Sequence, residues 1–384
     1  MLDRIERALK IFLVLAFILF AISLTGVITP AFQLAQTWQT PLGPRLDLPT
    51  RAATDALPQN QPATNITQTS PGTPGLEPLN VNNTCGGPNV MTILAIGADT
   101  RGYNYLYGLA DVIRIVRVDF VNARVAVLEF PRDLWVEIPG IEEHHDITHE
   151  KLNQAYLYGN PGFGYYNGPD QGPGLLARTL DLNFGMRPDH YVAVNMHTFE
   201  RIVDTVGGID VYLPHTVDAR AADQKERYDL VFDQGHHHLA GKEALMLARL
   251  RVAGVFDRAN NQDIILCALR KELLSPNILP KLPDIIDTFD GAVQMDFTPE
   301  ELSQLSCLAP FIRPENIAFA SFPAEMFTGT RIYDPIFDSR VFIWDVDFNL
   351  MRAYVAAFNA GTWPEASPVS GTPTSAETSA FTCP

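Results

Sequence analysis

The sequence predicts an α/β protein: a single domain with a central mixed β-sheet flanked by helices on both faces, preceded by one transmembrane helix. Three observations predict it. Between residues 89 and 360, short β-type runs alternate with helical periodicity, the pattern of a sheet covered by helices. The turn-like Val121-Asn122-Ala123 separates the β-rich runs Asp111 to Asp119 and Arg124 to Phe130, which reads as a hairpin. Ahead of them, Ile11 to Thr29 is uncharged and mostly apolar.

That apolar run has roughly the 20 residues that cross a bilayer core. Arg4, Arg7 and Lys10 precede it and no charge follows until Arg45, so residues 1–10 are expected in the cytoplasm and the rest outside a single-pass cell-membrane anchor at 11–29. A cleavable signal peptide is the rival reading, but no clear small-x-small site follows. Residues 30–88, rich in Pro, Thr, Asn, Gln and Ala, read as a flexible tether, and 361–384 as a disordered tail.

Within 89–360 the elements follow in order. Val90 to Ile96 is a buried strand delivering a loop at Gly97. After the hairpin, Leu134 to Ile138 is a short strand. Lys151–Tyr158 and Leu175–Phe184 are helical, Tyr191 to Val194 a strand. Thr198–Val206 is a helix stopped by Gly207-Gly208, before the strand Ile209 to Leu213. Helices follow at Gly241–Arg251, Arg258–Leu274, Pro283–Phe289 and Pro299–Leu308, then the strand Ile317 to Phe322 and a helix at Leu350–Phe358.

Polar clusters end or follow these apolar elements. Asp99 and Arg101 lie just past the first strand, with Asp111 opening the next; Arg132 and Asp133 sit at a strand end; Arg249, Arg251, Arg258 and Gln262 come later. In open α/β sheets ligands collect beyond the carboxyl ends of strands. Asp99 and Asp111 suit one Mg²⁺, which takes one or two carboxylates plus substrate phosphates. Guanidiniums suit phosphate oxygens because they stay charged and bind bidentately. Each Arg–Asp pair alone reads equally as a structural ion pair. Arg114, three residues past Asp111, is expected by strand alternation on the opposite face. The net charge of −16 argues against nucleic acid as a partner.

Six of nine histidines fall in His144-His145-Asp146-x-x-His149 and His236-His237-His238, which read as polar loops or, less simply, a transition-metal site. Tyr103, Tyr105 and Tyr107 border a lipid or sugar, or are plain loop residues. The four cysteines fit an oxidising exterior. Of three pairings, Cys85–Cys383 with Cys267–Cys307 is the one expected, with four free thiols as the alternative.

From about Asn89 to Phe358 the chain resembles the LytR–CpsA–Psr family, motif by motif. MTILAIGADTR resembles that family's opening strand and G-x-D-x-R; VAVLEFPRDLWVEIPG its P-R-D stretch; KLNQAYLYGN its K-L-N-x-A-Y. FERIVDTVGGIDVYLP resembles the segment with V-D-x-x-G-G-V-x-V, and GKEALMLARLR with FDRANNQ the late A-R-x-R helix and R-Q motif. The resemblance implies a phosphotransferase that moves a glycopolymer from a polyprenyl-pyrophosphate carrier in the membrane lipid to peptidoglycan. It implies Mg²⁺ on Asp99 and Asp111, and pyrophosphate on Arg101, Arg132, Arg249, Arg251 and Arg258, with Asp133 and Gln262 alongside. Asp99 and Asp133 are the alternative general bases. Two family arginines are replaced, by Leu109 and Asn261, and D-x-x-R shortens to Asp257-Arg258. A polyprenyl-pyrophosphate phosphatase and a non-catalytic polyprenyl-phosphate receptor are therefore the competing functions.

Overall fold

The computed structural model describes residues 42–49, 85–100, 105–144, 146–220, 226–250, 256–281, 292–364 and 381–383. The expected anchor at 11–29, most of the tether, and the helix at Pro283–Phe289 lie outside the described residues. Among the described residues, no helix is long and apolar enough to cross a membrane.

The strands are β1 (Val90–Ala98), β2 (Ala110–Asp119), β3 (Arg124–Glu129), β4 (Trp135–Glu137), β5 (His149–Lys151), β6 (His190–Asn195), β7 (Ile209–Leu213), β8 (Val217–Asp218), β9 (Val231–Phe232), β10 (Gly235–Leu239), β11 (Val293–Met295), β12 (Ile317–Ala320), β13 (Thr328–Asp334), β14 (Ser339–Asp345) and β15 (Phe381–Thr382). The helices are α1 (Leu152–Gly159), α2 (Gln171–Phe184), α3 (Met196–Val206), α4 (Gly241–Arg249), α5 (Asp257–Leu273), α6 (Pro299–Leu308) and α7 (Phe348–Ala360).

Seven strands form the central sheet in the order β11-β6-β1-β2-β3-β12-β15. β1 runs parallel to β6 and antiparallel to β2, and β3 runs antiparallel to β2 and parallel to β12, so the sheet is mixed. The carboxyl ends of β1, β3, β6 and β12 therefore share one edge.

Strand alternation sorts the side chains between two layers. Leu94, Ile96, Ile113, Ile115 and Leu128 pack with α1, α2 and α7 into the larger core. On the other face α3, α4 and α5 pack together around Val203, Leu247 and Ile265. Asn195 caps α3 by accepting from the Thr198 N–H at 2.8 Å, and Gly207 ends that helix in the left-handed region at φ 95°.

Several expectations are corrected. The disulfides are Cys85–Cys307 and Cys267–Cys383. The expected pairing took α5 and α6 as neighbours, but they cover different parts of the sheet: Cys85 packs beside Leu305 and Leu308 of α6, while Cys267 of α5 faces Val127 and Phe319. The end of the tail is ordered, because β15 adds to the edge strand β12 and delivers Cys383 to Cys267. Part of the stretch read as tether is also packed: Leu42 joins the α6 core, and Leu46 and Leu48 the larger one. His236–His238 form β10 instead of a loop, paired to β7 with His238 Nδ1 2.7 Å from Asp210.

One buried contact fixes the β13–β14 hairpin to the core. Glu150 on β5 and Asp334 at the end of β13 are both fully buried, and each has one carboxylate oxygen without a hydrogen-bond partner. Asp334 spends its other oxygen on the Ile336 and Phe337 N–H groups, and Glu150 on Lys151 N–H. One proton held between the two unpartnered oxygens would satisfy both. Burial, helped by the facing Asp334, pushes the Glu150 carboxyl up to about 8, against the lowering effect of the Lys151 N–H. A raised carboxyl pKa means that the stability is fully present below the unfolded value near 4.5 and is lost as pH rises through about 8. Glu150→Gln keeps a donor toward Asp334 without the charge. It is expected to stabilise the chain at pH 8 by on the order of 2 kcal/mol and to give no gain at pH 4.5. Melting curves at both pH values check this; an equal gain at both would refute the shared proton.

Candidate active site

Asp99 follows the last residue of β1, and Asp111 lies across the hairpin in β2. Gly97 pairs with Val112 and Ala98 with Ala110, so Asp111 is the extra residue of a β-bulge. The bulge resets the alternation: Asp111, Val112 and Arg114 all line the same cavity. This corrects the placement of Arg114 on the opposite face, which counted residues through an unbroken strand. Gly97 permits the bulge, since a Cβ there would come within 2.8 Å of Val112.

Leu109 holds Asp99 from both sides: its N–H donates to Asp99 Oδ1 at 2.6 Å and its carbonyl accepts from Asp99 N–H at 3.0 Å. Arg132 binds Asp111 Oδ1 and lies 3.5 Å from Asp133, whose other oxygen is 3.4 Å from Lys151 Nζ. Arg258 donates to the Asp111 carbonyl at 2.5 Å. Asp99 and Asp111 each use one carboxylate oxygen in these bonds, and the second is the one a divalent cation would take. Two carboxylates beside arginines fit Mg²⁺ that completes its shell with water and phosphate oxygens. Among the described residues no three His, Cys, Asp or Glu side chains gather into a metal cluster.

Behind this charged end lies a cavity of about 270 Å³ between the sheet and α3, α4 and α5. Arg258, Gln262, Ile265, Leu266 and Leu269 of α5 line it at helical spacing, so its wall passes from charged to apolar along about 16 Å of helix. Arg249 lines the charged end from the last turn of α4, and Phe199 and Ile202 line it from α3. Arg101 and Arg251 lie outside the described residues, as do Tyr103 and His145. Tyr105 is core, its hydroxyl 2.6 Å from the Ala292 carbonyl, whereas Tyr107 is 54% exposed and meets Phe163 edge-on.

The sequence reading missed a buried charge cluster under the cavity floor. Arg114, 3% exposed, donates to Asp263, to Glu129 at 2.8 Å and to Gln262 Oε1 at 3.2 Å. Burial raises the Asp263 carboxyl to about 6, although Arg114 pulls it down. The signal was present: pairing Asp119 with Arg124 across the turn puts Arg114 opposite Glu129.

The LytR_cpsA_psr family model matches residues 59–339. The chain belongs to the LytR–CpsA–Psr family. The regulatory protein MsrR of Staphylococcus aureus is 29% identical over 217 residues, which cover 56% of this chain and 58% of that protein. The polyisoprenyl-teichoic acid–peptidoglycan teichoic acid transferase TagU of Oceanobacillus iheyensis is 30% identical over 220 residues, 56% of this chain and 62% of that protein. The chain thus spans less than two thirds of the length of these curated relatives. TagV of Bacillus subtilis superposes with a TM-score of 0.51 at 25% identity, over 70% of this chain and 96% of its own. The Streptococcus agalactiae protein gbs0355, 18% identical, shares the fold with a TM-score of 0.56 over 73% of this chain and 89% of its own.

Within this family's frame, the two substituted positions have structural uses. Leu109 acts through its backbone on Asp99. Asn261 donates to the Leu247 carbonyl at 3.4 Å and Gln262 to the Ala248 carbonyl at 3.0 Å, so the two amides cap the last turn of α4, where carbonyls lack helical partners. Both ends of the Gln262 amide are therefore engaged within the protein, whereas Arg249 of that turn is exposed.

Proposed function

We propose that this chain is a membrane-anchored, extracytoplasmic, Mg²⁺-dependent phosphotransferase that passes a glycopolymer from a polyprenyl-pyrophosphate carrier to peptidoglycan. The carrying observation is a cavity with arginines and a carboxylate at one end and apolar helix faces along the rest. It suits an amphiphile with a phosphate head. The relation to TagU, a polyisoprenyl-teichoic acid–peptidoglycan teichoic acid transferase by name, favours a transferase of this kind. The two disulfides favour an oxidising compartment. The apolar run at 11–29 favours a site beside the membrane that holds the lipid.

In this reading an acceptor hydroxyl attacks the phosphorus bonded to the glycan. The P–O bond to the second phosphate breaks, polyprenyl phosphate leaves, and the hydroxyl proton passes to a carboxylate, Asp99 or Asp133. Arg132, Arg249 and Arg258 would neutralise the charge that builds on the phosphate oxygens, the main demand of phosphoryl transfer. Mg²⁺ held by Asp99 and Asp111 would add positive charge at the same oxygens. Arg101 and Arg251 are assigned to the same pyrophosphate by the family pattern.

The test incubates the full chain with Mg²⁺, a lipid-pyrophosphate-linked glycan and a peptidoglycan acceptor. Joined product is the expected result. Phosphate release without joining would make the chain a phosphatase, and tight lipid binding without either product would make it a receptor.

A further inference from the structure

Residues 42–49 cross the domain as a strap, although their stretch has the composition of a tether. Leu42 packs into the cluster of Met91, Phe120 and Met295, and a Cβ at Gly43 would strike the Tyr191 hydroxyl. Leu46 and Leu48 pack against the larger core. The backbone is held as well as the side chains. Leu46 N–H donates to Asp296 Oδ2 at 3.1 Å, and Asp47 N–H to the fully buried Asp170 at 3.2 Å. Arg178 donates to the Asp47 carbonyl, and Arg187 to the Leu48 and Pro49 carbonyls at 2.8 and 2.6 Å. Between the anchor read at 11–29 and Leu42 stand residues 30–41, 12 in number, which reach at most about 45 Å when fully extended.

The strap also decides which edge of the sheet the tether meets. Met91 is the second residue of β1, so Leu42 beside it lies at the amino edge. The cavity runs toward that same edge. Its charged end, with Asp111 and Arg258, is at the carboxyl end of β1, and α5 leads from there past Leu266 and Leu269. Arg270 then donates to the carbonyl of Ile312, which packs against the same cluster as Leu42. Leu266, Leu269 and Leu273 share one face of α5 at spacings of three and four residues, and Leu274 extends it past the helix end. Leu266 is 39%, Leu273 36% and Leu274 46% exposed.

We infer that the far end of α5 docks into the bilayer surface, with Leu273 and Leu274 among the acyl chains and the apolar end of the cavity opening onto them. The tether delivers this edge to the membrane, and exposed leucines in a row fit an apolar partner. Lys271 and Glu272 lie beside them and offset each other, so the contact is apolar and does not select anionic headgroups. A lipid tail then enters along Leu266 and Leu269 without crossing water, and the charged end stands about 16 Å of helix above that entry. The inference rests on the anchor reading above.

The test places the photoreactive residue p-benzoylphenylalanine at Leu274 or, as a control on the carboxyl edge, at Tyr107, which is 54% exposed. The full chain is reconstituted in vesicles of radiolabelled phosphatidylcholine, with and without phosphatidylglycerol. After irradiation, Leu274 is expected to capture lipid at least fivefold more than Tyr107, equally in both vesicles. Leu273→Glu, added to the Leu274 probe, should lower that capture threefold or more while the melting temperature stays unchanged. Equal capture from the two edges, capture of a second copy of the chain in place of lipid, or capture that needs phosphatidylglycerol overturns the inference while the anchor reading stands. A chain that does not float with the vesicles overturns the anchor reading, and the docking with it.

Discussion

Asp99→Asn is expected to lower Mg²⁺-dependent transfer by about two to three orders of magnitude, the size seen when one charge-stabilising group is removed from an active site. Asparagine retains an oxygen for the Leu109 N–H, so the loop that joins β1 to β2 keeps its anchor while the charge is lost. Asp111→Asn removes the second carboxylate, and with it one of the two carboxylate partners of Arg132. Transfer rates measured across a series of Mg²⁺ concentrations separate a metal role from a merely structural one. A metal role moves the half-saturating concentration upward, whereas a structural role lowers the rate at every concentration alike. Native rates for Asp99→Asn at all Mg²⁺ concentrations would rule out the metal assignment.

Arg114→Met is expected to cost about 3–5 kcal/mol, because it strands two buried carboxylates rather than one contact. Glu129 is 6% and Asp263 4% exposed, and neither can hydrate once the guanidinium is gone. A loss of this size lowers the melting temperature by roughly 10 °C in a chain of this length. The sign with pH follows from burial, which holds Asp263 up at about 6 even with Arg114 present. Without the cation the Asp263 carboxyl prefers its neutral form still more strongly. The penalty is thus largest near pH 8 and smallest near pH 5. A triple variant, Arg114→Met/Glu129→Leu/Asp263→Leu, should regain most of the lost stability, since a well-packed apolar cluster can replace a buried ionic one. If the single variant melted like the native chain at pH 8, the cluster would have no structural role.

The alternation of strands and helices was legible because buried strands and amphipathic helices leave different apolar periods, and Ile209–Leu213 and Pro299–Leu308 fall where that period put them. Strands without an apolar signature were not legible. His236–His238 pair through backbone bonds to β7, which composition does not report. The β13–β14 hairpin is mostly exposed, so its sequence shows little of the in–out alternation that marks a strand. At the site, residue types pointed to Asp99, Asp111, Arg132 and Arg258 and their order along the chain to the common edge. The face occupied by Arg114 was lost to a single bulged residue, since one insertion reverses every side chain beyond it. The disulfide partners depended on which helix lies over which strand, which is settled by the whole topology and not by distance along the sequence.

The two disulfides interleave: Cys267 falls inside the segment closed by Cys85 and Cys307, and Cys307 inside the segment closed by Cys267 and Cys383. A peptide bond cut anywhere between residues 85 and 383 therefore leaves both fragments joined by at least one covalent cross-link. A chain nicked once in any surface loop between those residues still holds α5, with Arg258 and the cavity wall, against the sheet.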